Sequence, residues 1–156
     1  MRTDYIFLVV PLIGFLVGCR ASDEEQIRGV MQGSLQAYGE EDIDKVMSYM
    51  SETCERRMLY GGGETATGKD AVRSSYAGDF ARADDIEVTG DTITSVKVSG
   101  DTATAVHNWQ LEFTDLQENG VRVVATGKSS VSLRKIDGIW KITVSEDTID
   151  TWERQE

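Results

Sequence analysis

The feature of this sequence that most restricts its fold is a change in hydrophobic period after residue 83. Before that point, apolar residues recur every three or four positions, as on one face of an amphipathic helix. Between residues 86 and 144 they alternate with polar residues, which is typical of strands. Helices segregated from a run of hairpins predict an α+β fold, with the helices packed on one face of the sheet.

Three helices are predicted before the change of period. Ser22 followed by Glu25 forms a capping box that starts the first helix, and Gly39 is a suitable C-terminal residue. Asp42 caps a second helix, and a third begins at Gly68 and is expected to end near Ala83. Residues 51–60 fit neither period, and the three glycines at 61–63 predict a loop.

Four strands are predicted after the change of period, in an antiparallel meander. The turn signals between them are residues 99–101, Asn119-Gly120 and Asp137-Gly138. The expected strands are Ile86–Val98, Thr102–Phe113, Val121–Lys135 and Ile139–Val144. Residues 147–156 are mostly polar and are interpreted as a frayed C-terminal tail that Trp152 could dock.

Residues 1–18 are interpreted as an export signal. A short start containing Arg2 precedes an apolar run from Ile6 to Val17, which is shorter than the roughly 20 residues of a membrane-spanning helix. Leu16-Val17-Gly18-Cys19 resembles the lipobox of bacterial lipoproteins, whose cysteine carries the lipid. The resemblance implies a lipid on Cys19 and a protein held in the cell envelope, facing the periplasm or exterior. Arg20 after that cysteine favours the outer membrane. A plain secretory signal with a coincidental cysteine and a short uncleaved anchor are the alternatives.

Length, charge and cysteine content limit the number of domains, the kinds of partner and the disulfide bonds that this chain can have. Residues 19–146 suit a single domain. The net charge is −11, which repels phosphate backbones and argues against nucleic-acid binding. If Cys19 is lipidated, Cys54 has no disulfide partner, and we interpret it as a buried or idle thiol.

Four short motifs resemble the nuclear transport factor 2-like superfamily, and its SnoaL-like group in particular. Residues 38–50 resemble its acidic turn between two helices, and Gly68-Lys69-Asp70 resembles the start of its third helix. Residues 100–103 resemble its hairpin into a long central strand, and residues 137–142 its last hairpin. The resemblance implies a cystatin-like cone, in which a strongly curved antiparallel sheet carries three helices on its concave face and leaves a pocket between them.

Some members of that superfamily are enzymes, such as ketosteroid isomerases and small dehydratases. Isomerase chemistry needs a carboxylate base in an apolar pocket and neutral donors that face the developing oxyanion. Alignment on the acidic turn places the isomerase catalytic groups at Ser34, Met58 and Val131, none of which matches. We therefore assign no catalytic residue from the resemblance, although Tyr38 and the stretch from Glu52 to Glu55 lie near enough to substitute.

His107 is the only histidine, and alternation places it on the apolar face of its strand beside Trp109. It is interpreted either as a pocket acid or base or as a buried ring with a hydrogen-bonded neighbour. His107, Trp109, Tyr38, Tyr60 and Tyr76 are the predicted pocket-lining residues. No cofactor is predicted, and the spacing of the titratable residues predicts no metal site.

Three functional hypotheses remain open. The first is a lipid-anchored module that binds a small apolar molecule or a partner. The second is a proton-transfer enzyme of isomerase or dehydratase type that uses the pocket. The third is a structural module that dimerises through the polar back of the sheet, where the side chains of Thr126, Lys128, Ser130 and Ser132 are expected. A carboxylate that enters the pocket beside His107 would favour the second hypothesis over the first, and a filled pocket would favour the third.

Overall fold

Three α-helices and one short 3₁₀ helix, Leu116–Glu118, are present in the computed structural model, which describes residues 21–155; the predicted export signal and Cys19 lie outside these residues. Helix α1 spans Asp23–Gly39, α2 spans Ile43–Tyr49 and α3 spans Lys69–Phe80. The predicted capping box at Ser22 is confirmed, since the Ser22 hydroxyl accepts from the Glu25 N–H and the Glu25 carboxylate accepts from the Ser22 N–H. The Asp42 carboxylate caps α2 by accepting from the Lys45 N–H at 2.9 Å. Helix α3 ends at Phe80, before the expected position, and the chain then enters a strand at Ala83.

Six strands form one sheet. Their bounds are β1 Met50–Met58, β2 Glu64–Thr67, β3 Ala83–Ser99, β4 Thr102–Asp115, β5 Val121–Ile136 and β6 Ile139–Arg154. The order across the sheet is β2-β1-β6-β5-β4-β3. The two predicted glycine turns are present, with Asn119, Gly120, Asp137 and Gly138 all at positive φ.

The prediction of a purely antiparallel sheet after three consecutive helices is wrong. Strands β1 and β2 lie between α2 and α3, and β1 runs parallel to β6, so the sheet is mixed. Strand β1 falls in the segment that fitted neither period. Its burial does not alternate regularly, and its pairing with β6 shifts register between Met50 and Glu55.

The segment interpreted as a frayed tail continues strand β6. Val123 pairs with Arg154 and Ala125 with Trp152, so pairing with β5 persists to the end of the strand. The Trp152 ring packs edge-on against Phe113, with ring centroids 5.2 Å apart. β-branched and aromatic residues at 148–152 favour this extended conformation despite the polar composition.

The core lies between the helices and one face of the sheet. One buried cluster joins Ile27 and Met31 of α1 to Leu133 and Trp140 of the sheet, and a second surrounds Phe113. The predicted inner face of β4 is confirmed by burial of its alternate residues: Ala103, Ala105, His107, Leu111 and Phe113 are buried and Trp109 is half-buried. No helix within residues 21–155 is both long and apolar enough to cross a membrane.

Candidate functional site

A cavity of about 300 Å³ lies between the helices and the inner face of the sheet. This volume is at the lower end of the range for small-molecule sites. All five residues that the sequence analysis predicted to line a pocket lie in its wall: Tyr38, Tyr60, Tyr76, His107 and Trp109. The structure thus brings them together, while their contact with a ligand stays a prediction.

One wall of the cavity is apolar and leads to the mouth. Leu111 and Phe113 of β4 and Ile149 of β6 contribute to it. The lining side chains of Arg82, Gln117 and Trp152 belong to exposed residues, which places the opening at this end. A bound molecule would therefore enter past aromatic and aliphatic surface.

A buried arginine organises the opposite, polar wall. Arg56 is only 5% exposed, and its guanidinium lies 2.8 Å from a carboxylate oxygen of Asp79 and 3.5 Å from one of Asp147. It also donates to Ser75 Oγ at 3.0 Å and lies over the Tyr76 ring, 4.1 Å from the centroid. Because β1, β6 and α3 each supply a member, this cluster ties the three elements together around the cavity.

A second set of hydrogen bonds crosses the sheet beneath the cavity. His107, Ser129 and Asp147 lie side by side on β4, β5 and β6. Ser129 Oγ donates to Asp147 Oδ1 at 2.5 Å and accepts from Trp109 Nε1 at 3.1 Å. Ser145 Oγ donates to the same Asp147 oxygen at 3.2 Å. Trp109 is therefore held in one orientation by a chain that ends at the Arg56 cluster.

His107 lines the cavity with one ring nitrogen turned away from it. The residue is 5% exposed, and its Nδ1 lies 3.4 Å from Asp91 Oδ1. That approach is electrostatic, since Nδ1 makes no hydrogen bond of good geometry with any described residue. Asp91 lies in a shallow groove beside α1 rather than in the cavity. The adjacent carboxylate favours the proton on Nδ1, which leaves Nε2 as the basic nitrogen.

Burial controls the protonation of the cavity side chains. It lowers the pKa of His107, an effect that Asp91 and then Asp147 oppose by charge, so the imidazole is neutral near pH 7. Burial raises the pKa of Tyr60 to about 12 and raises those of Tyr38 and Tyr76 as well. The site thus combines a neutral base with neutral phenol donors.

The positions matched to isomerase catalytic groups do not assemble here. Ser34 and Val131 line the cavity, but Met58 does not. Glu52 pairs with Lys69 and Glu55 with Arg57, and neither carboxylate reaches the cavity. The suggestion that this acidic stretch replaces the missing aspartate is therefore wrong.

Sequence reasoning missed the charged groups of the site. Arg56 lies in the segment that fitted neither period, and Asp147 lies in the segment interpreted as a tail. Asp79 lies in the predicted third helix, one turn after Tyr76, a spacing that places both on the same side. That spacing was the one available signal, and it does not by itself distinguish a buried carboxylate from a solvated one.

No group of three or more His, Cys, Asp or Glu side chains among residues 21–155 is arranged to hold a metal ion. Cys54 is buried and free, and burial raises the pKa of its thiol. A buried thiol in its protonated form is a poor nucleophile and a poor ligand.

Solved structures with the same fold include several proteins with enzyme names. A ketosteroid isomerase-like protein from Erwinia carotovora atroseptica shares 21% identity, with 83% of this chain and 99% of that chain covered and a TM-score of 0.72. A putative scytalone dehydratase from Novosphingobium aromaticivorans shares 17% identity, with coverages of 85% and 87% and a TM-score of 0.72. A Nostoc punctiforme protein of unknown function with a cystatin-like fold shares 19% identity, with coverages of 84% and 93% and a TM-score of 0.61. At these identities the likeness establishes the fold alone.

The sequence comparison is more specific about family. A search of curated proteins finds no match. The SnoaL-like domain, in contrast, matches residues 27–146, which include most of α1, both buried core clusters and all five predicted pocket residues. The chain therefore belongs to the SnoaL-like domain family.

Proposed function

We propose that the cavity binds a small, largely apolar molecule and that His107 removes a proton from it. The observation that carries this proposal is the position of His107, which lines the cavity with its Nδ1 3.4 Å from Asp91. A carboxylate behind Nδ1 fixes the tautomer and stabilises the imidazolium that forms when Nε2 takes a proton.

The neighbouring side chains suit the negative charge that proton removal leaves on the molecule. Tyr38 and Tyr60 line the same cavity, and burial keeps both phenols protonated as donors. Neutral donors that face developing charge in a water-poor site stabilise the transition state. The names of two proteins with the same fold, a ketosteroid isomerase-like protein and a putative scytalone dehydratase, are compatible with such chemistry.

The experiment uses a chromogenic substrate for general bases. With 5-nitro-1,2-benzisoxazole, a base removes the proton on the ring carbon next to nitrogen, the N–O bond breaks, and a coloured cyanophenolate forms. The wild type should accelerate this ring opening, with a rate that rises with pH to a plateau and a midpoint below 6.5, the ordinary pKa of histidine. His107→Gln should lower the rate by about 10²-fold or more.

A matched control lies next in the chain. Asn108 is exposed on the opposite face of β4, and Asn108→Ala should leave the rate unchanged. Equal rates for the wild type and His107→Gln would exclude His107 as the base. The cavity would then serve for binding alone, which was the first of the hypotheses from the sequence.

We also propose that the domain is held to a membrane of the cell envelope by a lipid on Cys19. Support comes from Leu16-Val17-Gly18-Cys19 and the preceding apolar run. Because the first helix begins at Asp23, a lipid on Cys19 would hold the domain close to the bilayer. Cys19→Ser should move the protein from the membrane fraction to the soluble fraction, and unchanged membrane retention would argue against the lipid.

A further inference from the structure

The formal charges of the side chains that line the cavity do not sum to zero. Two are positive and three are negative, which leaves a net charge of −1 while His107 is neutral: Arg56, Arg82, Asp79, Asp115 and Asp147. A net charge in a partly enclosed, weakly polar site favours a ligand of opposite charge, because burial weakens screening by water.

The imbalance lies on the polar wall rather than at the mouth. Arg82 is exposed at the mouth, where its carbonyl oxygen accepts from the Leu116 N–H at 2.8 Å, and the neighbouring Asp115 carboxylate accepts from the Gln117 N–H at 2.8 Å. Deeper in, the single guanidinium of Arg56 serves both Asp79 and Asp147. One carboxylate of that wall is therefore left without a compensating cation.

The carboxylate with spare acceptor capacity is Asp79. Its contacts with Arg56 and with the Tyr38 hydroxyl both go to Oδ2, and no side chain within residues 21–155 donates a hydrogen bond to its Oδ1. Both oxygens of Asp147, in contrast, are used by Ser129, Ser145 and Arg56. The Asp79 side chain is 20% exposed and lines the cavity, so the carboxylate can meet a bound group there.

Aromatic rings surround this carboxylate. Tyr38 and Tyr76 pack edge-on with centroids 6.0 Å apart, and Tyr60 lines the same part of the wall. The face of Tyr76 already carries the Arg56 guanidinium at 4.1 Å. Because ring faces attract cations, the aromatic groups and the carboxylate both favour a positively charged ligand.

His107 does not change the charge balance of the cavity. Its side chain lines the cavity and is more than nine-tenths buried, with Nδ1 turned towards Asp91. Because the ring is neutral, it adds no positive charge that would offset Asp79.

We propose that the ligand is a small organic cation, with a protonated amine that donates to Asp79 and an apolar body along Leu111, Phe113 and Trp152. This inference rests on the proposed use of the cavity for a small molecule, but not on proton removal by His107. It deepens that proposal by excluding carboxylates and phosphates as ligands.

The test compares three molecules that differ in one group: 3-phenylpropylamine, 3-phenylpropanol and 3-phenylpropanoate. Isothermal titration at pH 7 should show the amine binding about tenfold more tightly than the alcohol, since a charge-assisted hydrogen bond is about twice as strong as a neutral one. The carboxylate should bind most weakly. Asp79→Asn should remove the difference between amine and alcohol.

Asp84→Asn provides the control, because it makes the same change of charge at an exposed residue outside the cavity. It should preserve the order of affinities. If Asp79→Asn does not fold, as judged by circular dichroism, the proposal is tested by the order of the affinities of the three molecules for the wild type. Equal affinities, tighter binding of the carboxylate or no binding of the amine would overturn the proposal. These results are independent of the ring-opening rate, so the failure of one proposal is distinguishable from the failure of the other.

Discussion

Asp91 lies behind the imidazole of His107, with Oδ1 3.4 Å from Nδ1, on the side of the ring away from the cavity. The two residues come from neighbouring strands, and the register of β3 and β4 is offset by one residue there, with Asp91 opposite Trp109. A register shift between Val88 and Gly90 accompanies this arrangement. Such irregularities redirect side chains, and here one accompanies a carboxylate beside a buried histidine.

The pKa of His107 should respond to Asp91. Burial lowers this pKa and Asp91 raises it, so the wild-type value should lie below 6.5 and Asp91→Asn should lower it further. Since the chain has one histidine, its imidazole proton resonances can be titrated by NMR without assignment. A pKa that is unchanged in Asp91→Asn would show that the carboxylate does not act on the ring.

The same burial makes the stability of the fold dependent on pH. With a folded-state pKa below the unfolded value of 6.5, the unfolded chain takes up the proton first as the pH falls. The contribution of His107 is thus fully present above pH 6.5 and is lost as the pH falls towards the folded-state value. Urea unfolding between pH 7 and 5 should show a smaller loss of stability for His107→Gln than for the wild type. An equal loss in both proteins would assign the effect to other groups.

Removal of the Arg56 guanidinium should be strongly destabilising. Arg56→Ala leaves the partly buried carboxylates of Asp79 and Asp147 without a cation, and breaking a buried ion pair costs about 3–5 kcal/mol. Arg57 is the matched control, since its side chain is 40% exposed and pairs with Glu55 and Glu146 at the surface. Arg57→Ala should cost less than about 1 kcal/mol. Similar losses in chemical denaturation would contradict the structural role of the Arg56 cluster.

Gly127 should tolerate no side chain. A Cβ there would lie 2.2 Å from the Thr148 carbonyl oxygen and 2.3 Å from the Trp109 ring. Gly127→Ala should therefore cost about 1–3 kcal/mol and should change the fluorescence of a tryptophan that lines the cavity. Gly78 in α3 has nothing within 4 Å of the corresponding position. Gly78→Ala should stabilise the helix by about 0.5–1 kcal/mol, and a loss of stability there would contradict this description of the helix.

Truncation after residue 146 should abolish the folded state. It removes the half of β6 that pairs with β5 as far as Val123, together with Asp147 and Trp152 of the cavity wall. Truncation after Arg154 removes two residues beyond the strand and should leave the thermal unfolding transition nearly unchanged. Cooperative unfolding of the shorter protein would show that residues 147–154 are dispensable.

The elements with a clear period were predictable from the sequence. The capped helix α1, the inner face of β4 and the glycine turns at Asn119 and Asp137 follow from local chemistry that tertiary contacts do not override. The likeness of four short motifs to one superfamily led to the correct family and to an α+β fold.

The polar half of the site could not be predicted, because its geometry depends on long-range pairing. Arg56 and Asp147 are 91 residues apart, and they meet because β1 lies parallel to β6. Parallel strands are not joined by a hairpin turn, so no local turn motif predicts their pairing. The position of Asp91 beside His107 likewise accompanies a register shift between β3 and β4, which hydrophobic periodicity does not predict.

The parallel pairing of β1 with β6 also limits how early in synthesis the sheet can be completed. Strand β6, which lies between β1 and β5, is the last of the six described strands to be synthesised. Until it forms, β1 and its partner β2 are separated from the remaining three strands, and two strand edges are exposed to wrong partners. Completion of the sheet therefore waits for the synthesis of residues 139–154, and closure of the cavity wall at Asp147 belongs to that same step of folding.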